Sequence, residues 1–264
     1  MLASFECTVD SGVICTPEFV NDLFEGGIIF HVGDFAVTRI HFLFFLAAFV
    51  VIGLLYAAFR TPKVVPGKFS TAMESLVGFV RDEVAIGIIG PDGAKYVAYL
   101  LSIFLFLLVG NLFEITPFIN FPITSRMALP AFLALLTWVI FVAAGISKQG
   151  FRYFLDIIWP PGVPIAMRWL VGLIEVVSIF LVRPFSLAVR IFANLVAGHV
   201  MLSLLLTSGF VFITAFQVKS FVGIGWFAIG LGIFVFEIVV SVLQAYIFTL
   251  LSAVYIQTSV QPEH

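Results

Sequence analysis

The chain has 264 residues, of which 62% are hydrophobic and only 11% charged, with a net charge of −2 and a mean hydropathy of +1.18. A soluble domain is nearer half apolar and a quarter charged, so the composition places this protein in a membrane, and the slight negative charge excludes nucleic acid as a partner.

Residues 1–39 read as an acidic extracytoplasmic segment. Up to position 38 they hold Glu6, Asp10, Glu18, Asp22, Glu25 and Asp34 with no Lys or Arg, so the basic start of a secretory signal is absent. Cys7 and Cys15 lie in this segment; they either pair, if it faces an oxidising compartment, or stay as two free thiols.

Residues 40–264 read as a single all-α membrane domain. The apolar runs predict membrane-crossing helices over about 41–59, 95–115, 127–147, 167–208 and 221–256. Between the first two, 70–87 reads as an amphipathic interfacial helix. There Met73, Leu76, Val77, Val80 and Val84 recur at helical spacing opposite Glu74, Arg81 and Asp82. Gly90-Pro-Asp-Gly93 is a turn, and the two prolines of "EITPFINFP" (114–122) end the helix before it. The stretch 148–168, with its Pro-Gly-Val-Pro, reads as a polar or interfacial connection.

The last two runs are unusually long. Arg168–Leu206 is interrupted only by Pro184. As one helix of about 39 residues it would measure roughly 58 Å against a hydrocarbon core of about 30 Å. Either it tilts strongly, or Pro184 breaks it into two pieces with a re-entrant bend. Lys and Arg crowd 60–95 and 148–168, eight residues against three on the other side, which puts those segments and the C-terminus in the cytoplasm and the N-terminus outside.

Six ionisable residues sit within or at the edges of apolar runs: Glu114, Glu175, Arg183, Arg190, His199 and Glu237. Each costs about 2.5–3.5 kcal/mol to insert, so each needs a reason to be there. Glu114 and Arg183 have bland readings, as an interfacial carboxylate and a snorkelling anchor. Arg190 is too deep to snorkel, which leaves a structural ion pair with Glu175 or Glu237, or a function. At about 100° per residue Asn194, Ala197, Met201 and Ser208 fall near Arg190, with Ala193 a little further round, a small or polar stripe open to close approach. His199 faces the other way. Glu237, Ser241, Gln244 and Tyr255 share one face of the last helix and suit either a wet path or a polar helix contact.

An arginine does not release its proton at accessible pH, whereas an imidazole and a carboxyl group can exchange theirs once their surroundings shift them. One fixed positive charge flanked by titratable groups suggests a proton path interrupted by an electrostatic barrier. Two other classes compete with this. One is a proton-coupled secondary transporter whose Arg190 binds an anionic substrate; the other is a structural subunit held together by polar contacts.

"RPFSLAVRIFANLVAGH" (183–199) followed by "FEIVVSVLQAYIFTLLSAVYI" (236–256) resembles subunit a of the F-type ATP synthase. The likeness extends to "AMESLVGFVRDEV" (72–84), "GNLFEITP" (110–117) and the Pro-Gly-Val-Pro loop, and "FINFPITSRMALP" (118–130) leans towards actinobacterial members. The resemblance implies a stator channel subunit, with the last two helices forming a tilted hairpin against a rotor ring of c-subunits and with b-type peripheral stalk subunits as further partners. It implies that Arg190 faces the rotor carboxylate and separates two half-channels, with Asn194 and Gln244 in support. His199 and Glu237 would line the outer half-channel; many bacterial members carry the same acid and imidazole in exchanged positions. Glu175 matches a family carboxylate, at one residue more from the arginine than in many members. Ser241 lies on the face of Glu237. The resemblance implies a plasma-membrane location, no cofactor, no metal and no catalytic residue. No GxxxxGK[ST] phosphate loop is present for ATP chemistry.

Overall fold

The computed structural model describes residues 28–32, 35–60, 66–116, 126–159, 164–214 and 220–261. Helices make up nearly all of it, as they must where the backbone has only itself to bond to. Cys7 and Cys15 lie outside the described residues, as does the side chain of Glu114.

A short hairpin precedes the helices. Strands β1 (Ile28–Val32) and β2 (Phe35–Thr38) pair antiparallel, with Val32 opposite Phe35. Their β-branched and aromatic residues favour a strand, although the run is too short to stand out in an acidic segment. Helix α1 (Arg39–Phe59) follows at once, and His41 Nδ1 accepts the Thr38 amide at 3.2 Å near its first turn.

Helix α2 begins at Lys68–Phe79 and continues through a π segment, Val80–Ile86, to Gly87–Ile89. It covers the amphipathic stretch read from the sequence. Val80, Val84, Ala85 and Ile89 are buried, while Arg81 and Asp82 pair outside at 2.8 Å. The exposed Arg81 guanidinium holds the Asp82 carboxyl below its usual range. Gly90 takes a positive φ of 86° that a side chain would resist, and the 3₁₀ turn Pro91–Tyr96 leads into α3 (Val97–Ile115).

Helix α4 (Ala128–Gln149) ends at Gly150, whose φ is 64°. The connection expected over 148–168 contains a further helix, α5 (Arg152–Ile158). Tyr153 and Ile157, four apart, bury one face of it; its two turns are too short to show as a periodic signal.

Next come α6 (Ile165–Val177), a π segment (Ser178–Val182) and α7 (Arg183–Thr214), then α8 (Ser220–Val260). The helix therefore runs on through Pro184 from Ile165 to Thr214, one span of 50 residues rather than two pieces. Proline has no N–H to donate and crowds the preceding turn, and the π segment just upstream is where the helix absorbs that misfit. Five helical stretches among the described residues are long and apolar enough to cross a membrane; α2 is not one of them.

The chain divides into two compact units. One comprises residues up to Ala48, Leu108–Arg126 and Phe192–Leu243. Within it α7 and α8 run antiparallel along a seam of glycines. A side chain on Gly209 would meet the Phe227 backbone nitrogen at 2.7 Å, and one on Gly230 would meet Leu206 Cδ2 at 2.7 Å. Such close approach is how helices attract each other in lipid, where no hydrophobic effect drives them together.

The other unit comprises Phe49–Leu107, Met127–Ile191 and Gln244 onward. Its core includes Leu100, Leu107, Phe141, Leu187, Phe248 and Ile256. Polar ties are few and directed: Tyr99 donates to Thr137 Oγ1 at 2.8 Å, Gln149 to the Ser259 carbonyl at 2.9 Å, and Lys148 pairs with Asp92 at 2.6 Å.

The seam makes the glycines unequal. Gly209→Ala meets backbone that cannot yield and is expected to destabilise by about 1–3 kcal/mol. Gly225 on α8 has open space around its Cβ position, so Gly225→Ala is expected to be neutral or slightly stabilising, since alanine favours helix by up to about 1 kcal/mol. Thermal unfolding of the purified complex in detergent checks the order; equal losses would count against the seam.

Candidate functional site

Two titratable groups of the first unit lie on the α7–α8 seam. His199 on α7 and Glu237 on α8 are 3% and 5% exposed. Gly198 makes this possible: the Glu237 carboxylate occupies the space that a side chain at 198 would fill. The register that sets Gly209 against Phe227 and Leu206 against Gly230 also brings His199 level with Glu237. One turn along α8, Ser241 is buried too, and its carbonyl accepts from Asn111 Nδ2 at 3.4 Å. Asn111 on α3 is 2% exposed. In the sequence it stands within "GNLFEITP", where an amide deep in the apolar run of α3 is its signal.

An imidazole and a carboxyl group can each hold or release a proton, which a guanidinium cannot. Among the described residues no three of His, Cys, Asp and Glu gather as metal ligands.

The second unit holds Arg190, Gln244 and Glu175. Arg190 lies on the exposed side of α7, next to the fully buried Ile191 and one turn from the buried Leu187. Among the described residues of its own unit no carboxylate pairs with it, so the structural ion pair with Glu175 is not formed. Ala193, Asn194, Ala197 and Met201, further along the same helix, are each exposed as well. Ser208, expected on that stripe, is instead buried beside Gly209, where the α8 backbone comes close. Gln244 is buried on α8.

Glu175 lines a cavity of about 270 Å³ together with Tyr153, Asp156, Arg183, Thr258 and Ser259. That volume holds more than one water molecule. Arg183 is part of its wall rather than a lipid anchor: Nη1 donates to Thr258 Oγ1 at 3.1 Å, and the guanidinium lies 5.3 Å from the centre of the Tyr255 ring. The Tyr153 hydroxyl sits 3.3 Å from Ser259 Oγ, and burial pushes its phenol up, so it stays protonated and available as a neutral hydrogen-bond partner.

Comparison with known proteins gives this arrangement a context. The family model described as ATP synthase A chain matches residues 41–257. ATP synthase subunit a of Rhodococcus erythropolis is 32% identical over 98% of this chain and 96% of its own length. The corresponding subunits of Frankia alni and a Nocardioides species are 42% and 41% identical, covering 80% and 83% of this chain and 73% and 80% of their own. None of these relatives is named as a solute transporter, and that rival reading finds no support. The chain belongs to the ATP synthase A chain family: it is a membrane-embedded, proton-translocating subunit that carries none of the enzyme's ATP chemistry.

Proposed function

We propose that Arg190 is the fixed charge separating two aqueous half-channels, and that its counter-charge is the carboxylate of a passing subunit in the c-ring. The observation that carries this reading is an arginine on the exposed side of a long apolar helix with no carboxylate partner among the described residues. A charge at that depth costs about 2.5–3.5 kcal/mol. A partner supplied from outside the chain offsets the cost, and the exposed Ala193, Asn194 and Ala197 leave room for its backbone to approach.

In this reading His199, Glu237 and Ser241 line the half-channel open to the outside, with Asn111 beside them. Protons pass from it to the rotor carboxylate, ride the ring, and leave through the cavity at Glu175 towards the cytoplasm. Asn194 and Gln244 support the contact at Arg190. The guanidinium favours the ionised rotor carboxylate as it passes and, unable to release a proton, blocks a direct leak. Each proton carries about 2.3 kcal/mol per 100 mV, which a leak would dissipate. The cluster of Lys and Arg in 60–95 and 148–168 supports a cytoplasmic C-terminus and an outer N-terminus in the plasma membrane. Subunits of the b-type peripheral stalk complete the set of partners.

Inverted membrane vesicles holding the assembled enzyme test the reading. Arg190→Ala, in complexes assembled at the normal level, is expected to lower ATP-driven proton pumping by about a hundredfold, which corresponds to about 2.7 kcal/mol of barrier. Arg190→Lys, which keeps charge but not the planar fork, should fall between the two. Normal pumping in the alanine variant would refute the proposal, and loss of assembly alone would favour a structural role.

A second expectation concerns the acid–imidazole pair. The double exchange His199→Glu with Glu237→His keeps one group of each kind at the seam. It should therefore retain more pumping than either single change, measured in the same vesicles. Equal loss in all three variants would show that the two do not share a path.

A further inference from the structure

The π segment at Ser178–Val182 leaves one backbone acceptor without a helical donor. In an α-helix the Ile179 carbonyl would accept from the amide of Arg183, but that amide donates to Ser178 instead. The next amide along belongs to residue 184, which is proline and has no N–H. Trp138 on α4 supplies the missing donor: its indole Nε1–H reaches the Ile179 carbonyl at 3.1 Å, and its ring packs edge-on against Phe180 with centroids 5.6 Å apart.

This wide turn decides which way Arg190 faces. Arg190 lies eighteen positions after Gly172, and eighteen residues are five full turns of α-helix at about 3.6 per turn. Gly172 is buried, with the Ile158 carbonyl in the space a side chain would need. An unbroken α-helix would therefore set the Arg190 guanidinium on that same buried face. A π segment absorbs one residue, and one residue corresponds to about 100° of rotation. Ile191, nineteen positions on, then takes the buried place, and it is 0% exposed. Arg190 is carried out to the exposed side, where it is found. The same absorbed residue offsets the extra one counted between Glu175 and Arg190.

We infer that Trp138 is a positioning residue for Arg190: by bonding the orphaned Ile179 carbonyl it holds the π segment open and keeps the guanidinium turned out of the protein. The inference rests on the proposed role of Arg190. Losing a bond to a buried carbonyl corresponds to about a five- to tenfold shift in the population of the competent register.

The test uses the assembled enzyme in inverted vesicles. Trp138→Phe keeps an aromatic ring but loses the donor, and is expected to lower ATP-driven pumping five- to tenfold. Trp138→His, which restores an N–H, should recover part of it. Adding Pro184→Ala to Trp138→Phe gives residue 184 an amide that can bond Ile179 directly, and should restore pumping. A loss of packing volume would not be repaired by a change at Pro184. If Trp138→Phe fails to assemble, recovery of assembly on adding Pro184→Ala carries the same meaning. Wild-type pumping in Trp138→Phe, or no recovery in the double variant, overturns the inference. Arg190→Ala run alongside separates the two levels. If it pumps normally, the role of Arg190 falls; if it is inactive while Trp138→Phe is unaffected, only the positioning by Trp138 falls.

Discussion

Hydrocarbon provides no hydrogen bonds, and the rest of this structure follows from that constraint. Each backbone amide and carbonyl at membrane depth must find its partner within the protein, which accounts for the almost uninterrupted helices. Where the helix departs from its own pattern, at the π segment before Pro184, a side chain from another helix completes the bonding: Trp138 donates to Ile179. Side chains obey the same rule. Thr137 and Thr249 return their hydroxyls to carbonyls one turn back on their own helices. Against this background a charged group exposed on such a helix needs a specific reason.

The helices carrying Arg190, His199 and Glu237 are also those least covered by the chain itself. The spans Ile165–Thr214 and Ser220–Val260 bury a smaller share of their residues than α3 or α4. In the first unit they meet each other through glycines and bury an acid–imidazole pair at the seam. Elsewhere much of their surface, from Trp169 and Phe185 to Val235 and Leu243, faces outward. Lipid suits the large apolar side chains. It does not suit Arg190 and Asn194, and a protein partner in the membrane, as proposed, would.

Much of this was legible in the sequence, for a physical reason. Apolar runs of membrane length with prolines and charges between them have few structural solutions, so five crossings were expected, and five helical stretches among the described residues are long and apolar enough to cross. Helical phase grouped Arg190 with Asn194, Ala197 and Met201, which are exposed together, and set the buried His199 on another face, but it also placed Ser208 with Arg190, and Ser208 is buried. Short elements escaped. The β1–β2 hairpin and the two turns of α5 are held by pairing and packing rather than by a long periodic pattern. Asn111 needed a second helix beside it, with the Ser241 carbonyl in reach, before its amide had a meaning. The π segment was hidden altogether. Sequence periodicity assumes one rotation per residue throughout, and the absorbed residue shows only once the bonds of Arg183 are known.

That hidden residue changes how the central helix is understood. Counting from Arg190 along α7 correctly separates its outward side from the inward side of His199, because no irregularity intervenes. Counting backwards across 178–182 does not, and a plain helical wheel would turn Arg190 towards Gly172. The π segment lets the long helix keep one packing face, with Gly172 before it and Leu187 and Ile191 after it, while presenting the charge on another. A straight helix with these residues could satisfy the packing or the charge, but not both. On this view Pro184 contributes through the amide it lacks: with no N–H at that position to bond Ile179, the carbonyl is left to a neighbour, and the orientation of Arg190 becomes tied to Trp138 on α4.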